Sequence, residues 1–313
     1  MKFLFLVALI FSNSKAQALD LSTVYNSHLK QALFSKSEIS QLKKLKILII
    51  PGVLAESFDS SSGNQIKVGF IFEKGFSEHI KLMQKNYISY EYLKFDTESA
   101  SQVNAEAIIT AIENSKLAVV IYSHSKGGLD TLEAFRQRPD LLSKVHGWVS
   151  VQSPFWGATV ASNFYDNTIT KLSGKSLFEW LGGSIDGMSA LTIDERSEYM
   201  DSTEVRSLIG IINKKIKFLN YASYKPNTIG IDTPLELFRN ITQAKTGDND
   251  GVVPLTSALM SLHGLDINYA VEKNIDHLMT MTKYRPDKLD FLHWFRSDYD
   301  QQTHAMSLIK MVL

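Results

Sequence analysis

Apolar residues in this chain gather mostly in short continuous runs bounded by polar turns. Lys46 to Ile50, "KILII", is apolar and β-branched and is closed by Pro51-Gly52, so it predicts a buried strand entering a turn. Ile88 to Phe95 alternates and is rich in aromatics, which predicts a second strand. Val103 to Ile112 carries apolar residues at helical spacing. Leu117 to Tyr122 is again a continuous run. Leu129 to Phe135 resumes helical periodicity, and Arg138-Pro139-Asp140 stops it. Gly147 to Val151 predicts a further strand, ended by Ser153-Pro154. Ile216 to Tyr224 and Ile267 to Val271 predict two more strands, and Leu289 to Trp294 and Met306 to Val312 predict closing helices. Strands alternating with helices over this length point to an α/β domain with a mostly parallel sheet. Continuous rather than alternating apolar strands agree, because such strands are covered on both faces.

Two segments break the rhythm. Phe155 to about Lys214 mixes polar loops with apolar patches such as Leu177-Phe178-Glu179-Trp180-Leu181, and reads as an insertion or cap over the sheet. Its aromatics (Phe155, Trp156, Phe164, Tyr165, Phe178 and Trp180) suit either an apolar wall for a ligand or an ordinary packed core. At the N-terminus, Met1-Lys2 precedes an apolar run of nine residues, Phe3 to Phe11, and then Ala16-Gln17-Ala18. That pattern predicts a secretory signal peptide over residues 1–18, leaving 19–313 as the mature domain. The run is shorter than the roughly 20 apolar residues a bilayer span needs.

Bulk composition narrows the function classes. The chain has 313 residues, 44% of them hydrophobic and 21% charged, with a formal net charge of zero. No basic field suggests nucleic acid. No Cys occurs, so disulfides and a lipid-modified cysteine are excluded even for an exported chain.

The chemistry concentrates in "VVIYSHSKGGLD", Val119 to Asp130. Here an apolar strand ends in Ser123-His124-Ser125-Lys126-Gly127 before a helical pattern. A serine at a sharp strand-to-helix turn needs small neighbours two positions away on each side, which approach across the turn. Its hydroxyl then stands above the C-terminal edge of the sheet, where open α/β sheets hold ligands. A serine nucleophile needs a base, and the base needs an orienting carboxylate. "TGDNDGVVPLTS" (Thr246 to Ser257) supplies carboxylates in a glycine-bounded loop before a helix expected at Pro254. "NIDHLMT" (Asn274 to Thr280) places His277 in a loop after the last expected strand. Of the other histidines weighed for the base, His124 should point away from the hydroxyl and His146 begins a strand. His263 lies near a helix end, and His293 sits in a closing helix. Asp248, Asp250, Asp232 and Asp276 are all possible loop formers. Gly251 permits a tight turn after Asp250, whereas Asp248 is expected to bond the loop's own N–H groups.

With these motifs together, the chain resembles an α/β-hydrolase of the bacterial lipase type. "SHSKGG" is similar to the family's G-x-S-x-G elbow, "NDGVVP" to its acid loop and "DHL" to its histidine loop. "SPFWGATVAS" (Ser153 to Ser162) is similar to its Pro-x-x-Gly-Thr segment, and "IIPGVLAE" (Ile49 to Glu56) sits where it carries an oxyanion loop. Ser123 replaces the usual first Gly of the elbow, and Pro51 the usual His before Gly52. The resemblance implies an α/β-hydrolase fold with a cap insertion over about 155–214, and a catalytic set Ser125, Asp250 and His277. It implies an oxyanion hole from the N–H of Lys126 and that of Val53 or Leu54. The charge of Lys126 has no necessary role, and its side chain is expected to be solvated or salt-bridged. The implied activity is a secreted or periplasmic serine hydrolase of small-molecule or lipid esters, in transient contact with a lipid interface. A thioesterase, an amidase or a silent binding protein on the same fold stays open. No cofactor or metal ligand cluster is implied, although some lipases of this kind carry structural Ca²⁺.

Overall fold

The computed structural model describes residues 17–31, 33–53, 73–165, 190–226, 235–283 and 299–313, the side chains of 163–165 and 237 aside. The expected signal segment up to residue 16, Leu54, Phe178, Trp180, Asp232 and the helix expected over Leu289–Trp294 with His293 lie outside the described residues.

Six strands form one sheet: β1 (Leu45–Ile50), β2 (Ser89–Tyr92), β3 (Ala118–His124), β4 (Val145–Val151), β5 (Lys217–Tyr224) and β6 (Tyr269–Lys273). Their order is β2-β1-β3-β4-β5-β6, and every neighbouring pair is parallel. β1 and β3 are buried almost throughout, as strands covered on both faces must be. β2 is at the edge and only partly buried, consistent with its alternating sequence. The chain runs from β1 outward to β2 and then crosses to the other side of β1. The order therefore reverses between β1 and β3, and the crevice outside their C-terminal ends is where such sheets bind ligands.

The helices that cover the sheet follow from the same pattern. α1 (Ser22–Leu29) and α2 (Lys36–Leu42) precede β1, and α2 opens with a reciprocal Ser35–Glu38 capping box. α3 (Ser77–Lys85) and α4 (Ser101–Glu113) flank β2, and α5 (Lys126–Gln137) follows β3. α5 turns Leu129, Leu132 and Phe135 inward, where Phe135 meets Trp148 of β4 edge-on. Trp148 also stacks on Phe218 of β5 with ring centroids 4.1 Å apart. Between β4 and β5 lie α6 (Thr159–Tyr165), α7 (Ile193–Asp201) and α8 (Thr203–Lys215). Phe155 and Trp156, at the head of this segment, are buried in the core. α9 (Glu236–Thr246), the single turn α10 (Leu255–Ala258) and α11 (Gln301–Lys310) complete the described α-helices. The hydroxyls of Tyr25, Tyr221 and Tyr299 all donate to Glu272 Oε2, at 2.6, 2.6 and 2.7 Å, which ties α1 and the approach to α11 to the sheet.

Helix α3 carries a histidine that burial holds neutral. His79 is 1% exposed, its Nε2 pairs with the Tyr122 hydroxyl at 3.1 Å, and its Nδ1 has no partner. Burial pulls its pKa down to about 3, only partly offset by Glu78. The unfolded chain therefore binds a proton at this side chain that the folded chain refuses, between about pH 6.5 and pH 3. Stability at His79 is lost as pH falls through that window. Replacing His79 with Phe should reduce the drop in unfolding free energy between pH 7 and pH 5 by about 2 kcal/mol. Urea titrations of both proteins at the two pH values measure this, and an equal drop in both would rule it out.

Candidate active site

Ser125 is the pivot between β3 and α5. Its backbone stands at φ 54° and ψ −130°, a region a non-glycine residue occupies at a cost of roughly 1–3 kcal/mol. Its N–H donates to Val151 O at 2.9 Å, and its carbonyl accepts from Gly128 N at 3.0 Å. Two glycines make room for it. A Cβ on Gly52 would lie 2.5 Å from Ser125 Cβ and 3.0 Å from its Oγ. A Cβ on Gly127 would lie 2.5 Å from Pro51 O and 2.6 Å from Ile50 O. The demand for a small residue at 127 thus comes from the end of β1. It was expected to come from position 123 across the turn. Ser123 is buried, and its hydroxyl accepts from Trp148 Nε1 at 2.9 Å, so a side chain is accommodated there. The Ser125 side chain is half-buried and reachable.

The loops after β5 and β6 bring a carboxylate and an imidazole together. Asp250 Oδ2 accepts from His277 Nδ1 at 2.8 Å, and the His277 N–H donates to Asp250 O at 2.8 Å. Asp250 Oδ1 accepts from the N–H groups of Val252 and Val253 at 2.9 and 2.7 Å. Both carboxylate oxygens are therefore engaged, and the side chain is fixed. Gly251 takes φ 100°, the tight turn expected after Asp250. The structure brings Asp250 and His277 into a hydrogen bond, and among the described residues no hydrogen bond joins the Ser125 hydroxyl to His277.

The competing residues have other work. Asp248 is exposed, and it is Asn249 that braces the loop, accepting from Gly251 N at 2.9 Å and donating to Arg239 O and Gly247 O. The bracing role expected of Asp248 thus falls to its neighbour, whose amide both donates and accepts whereas a carboxylate only accepts. Asp276 is buried and accepts from the N–H groups of Leu278 and Met279. His146 meets the Leu313 carbonyl, and His263 stacks on Trp156 with centroids 3.6 Å apart. His124 is buried with its ring 4.7 Å from that of His277, and burial holds its pKa well below the ordinary value.

The oxyanion candidates border the hydroxyl. Lys126 opens α5, and Pro51-Gly52-Val53 passes against Ser125. The Lys126 side chain is 1% exposed and pairs with Asp130, Nζ to Oδ1 2.8 Å and to Oδ2 3.1 Å. Asp130 also accepts from Asn104 Nδ2 at 3.0 Å. Burial pushes the Asp130 carboxyl up from its ordinary value, against the pull of Lys126. A lysine at a helix N-terminus opposes the helix dipole, and the carboxylate one turn on offsets it. The spacing of Lys126 and Asp130 was visible in the sequence, but nothing local revealed that the pair is buried. Among the described residues, no group of three or more His, Asp or Glu side chains is arranged to hold a metal ion.

No protein-family model matches the chain, and no curated protein matches it in sequence. Solved structures do match. The metagenomic carboxyl esterase MGS0156 is 18% identical, with a TM-score of 0.63, over 86% of this chain and 76% of its own. This is an α/β-hydrolase fold. The mature lipase BlEst2 of Bacillus licheniformis is 17% identical, with a TM-score of 0.56, over 75% of this chain and 85% of its own. Likeness at this identity establishes the fold alone, and the chemistry must be argued from this chain's own residues.

The buried ion pair at the start of α5 gives a direct test of packing. Lys126→Met removes one partner and leaves Asp130 uncompensated, so it should destabilise the protein by about 3–5 kcal/mol. Denaturant unfolding measures this, and a loss below about 1 kcal/mol, the range of exposed pairs, would show that the pair is solvated.

Proposed function

We propose that this protein is an exported serine hydrolase of carboxylic esters, with Ser125 as nucleophile, His277 as base and Asp250 as orienting acid. One observation carries the reading: the 2.8 Å bond between His277 Nδ1 and Asp250 Oδ2, at the same sheet edge as the strained Ser125 turn. Ser125 Oγ attacks the ester carbonyl carbon while His277 Nε2 takes its proton. The carbonyl oxygen becomes an oxyanion held by the N–H groups of Lys126 and Val53, each donor worth about 3 kcal/mol in the transition state. The intermediate collapses, the alcohol leaves with the proton from His277, and an acyl-enzyme remains. Water then repeats the sequence and frees the acid. Asp250 fixes the Nδ1–H tautomer and faces the imidazolium that forms. None of these steps calls for a cofactor. Export rests on the pattern of Met1 to Ala18.

A fluorophosphonate probe should label the wild-type protein once per chain and leave Ser125→Ala unlabelled. A panel of nitrophenyl esters, thioesters and anilides should show ester turnover above the other two classes. No labelling of the folded wild type would mark a silent binding protein.

The acid assignment is tested separately. In Asp250→Asn the side-chain oxygen is drawn to the Val252 and Val253 amides, so an amide NH₂ faces His277 Nδ1 and selects the wrong tautomer. We expect kcat to fall by roughly 10³–10⁴ with the fold retained. Asp248→Asn, on an exposed side chain, should keep wild-type kcat. A large loss at Asp248 with little at Asp250 would reverse the assignment.

A further inference from the structure

The loop that carries His277 crosses the C-terminal edge of the sheet from β6 back to β3, and each strand it passes holds it by one side chain. Ser223 of β5 donates its hydroxyl to Ile275 O at 3.0 Å. Gln152, just past β4, donates Nε2 to Asp276 O at 3.2 Å. His124 of β3 lies with Nε2 3.1 Å from His277 O. Three successive carbonyls are thus met by three successive strand ends. The tethers are linked to one another. Gln152 Nε2 also donates to Ser223 Oγ at 2.6 Å, and Gln152 Oε1 lies 3.2 Å from His124 Nε2 and accepts from Thr280 Oγ1 at 2.7 Å. Ile275, Asp276 and His277 are all buried, so these carbonyls have no water to turn to. Gln152 is held at φ 51°, a backbone state that surrounding bonds must impose on a residue other than glycine. Because His277 O only accepts, His124 carries its proton on Nε2, and its buried Nδ1 is left without a partner.

We propose that His124, Gln152 and Ser223 are positioning residues that set the depth and angle at which His277 is presented to Ser125. They touch neither substrate nor the reacting atoms. Gln152 and Ser223 act through the loop backbone on the His277 ring and its bond to Asp250, and His124 adds direct ring packing, its centroid 4.7 Å from that of His277. The kinetic part of this inference rests on the hydrolase reading above; the placement of the ring does not.

The test uses the full-length protein and two readouts. One is the low-field proton NMR signal of His277 Nδ1–H, assigned by its loss in Asp250→Ala. The other is kcat and KM on a nitrophenyl ester. Gln152→Met and His124→Leu should broaden the signal and lower kcat by about 10²-fold with KM unchanged, the scale of a misplacement near 1 Å. His124→Gln keeps a donor at the same reach and should recover about tenfold of that loss. Should Gln152→Met fail to fold, Ser223→Ala removes one tether alone and should shift both readouts in the same direction. A folded Gln152→Met or Ser223→Ala with wild-type signal and wild-type kcat overturns the inference, even if its melting temperature falls. A wild type that shows the signal but turns over no ester refutes the hydrolase reading instead, and the tether is then decided by the signal in the same variants.

Discussion

Glycines 52 and 127 set how closely the end of β1 can approach the turn after β3. Each would place a Cβ 2.5 Å from an atom across that gap, far inside any tolerated contact. With both present, Ser125 can occupy its strained backbone state, braced by its bond to Val151 O, and α5 can begin at once at Lys126. The same approach brings Gly52, the residue before Val53, against the Ser125 side chain. The proposed nucleophile and the loop proposed to supply the second oxyanion donor are therefore positioned by one steric constraint, located where the strand order reverses.

Around that point the sheet edge is polar yet mostly buried, and burial sorts its groups. His79 and His124 are denied protonation by desolvation, which makes both poor proton acceptors. His277 differs in having a carboxylate against its ring, so a positive charge formed there would face Asp250. The Lys126–Asp130 pair lies at the start of α5, with Asn104 of α4 donating to Asp130 as well. The proposed base is thus the histidine at this edge whose charged form has a compensating partner.

Much of this is legible in the sequence because parallel strands buried on both faces tend to be continuous apolar runs, as in β1 and β3; β4, β5 and β6 interrupt their apolar residues with Ser, Asn or charged ones. The elbow was legible because its spacing reflects backbone geometry within a few residues. Gly127 was read correctly as obligatory but for the wrong neighbour, since its clash is with β1, some 75 residues earlier in the chain. α1 was missed because it buries only Tyr25 and shows little helical patterning. Gln152, Ser223 and Thr280 were not singled out, since a single polar residue at a strand end carries no local signal of the loop it will meet. Lys126 is salt-bridged, one of the two states expected for it, but its burial depends on packing that no local pattern displays. Asn249 carries no local signal either, since its bracing role depends on donor geometry that only the folded loop defines.

The central claim is that Ser125 is acylated with help from His277 and Asp250. Rapid mixing of the protein with a nitrophenyl ester, followed by quenching and intact and peptide mass spectrometry, tests it most directly. A burst of one nitrophenol per chain, with one acyl group on the peptide containing Ser125 and none in Ser125→Ala, is the predicted result. Turnover with no acylated intermediate in any quenched sample, or an acyl group on another residue that persists in Ser125→Ala, would contradict it.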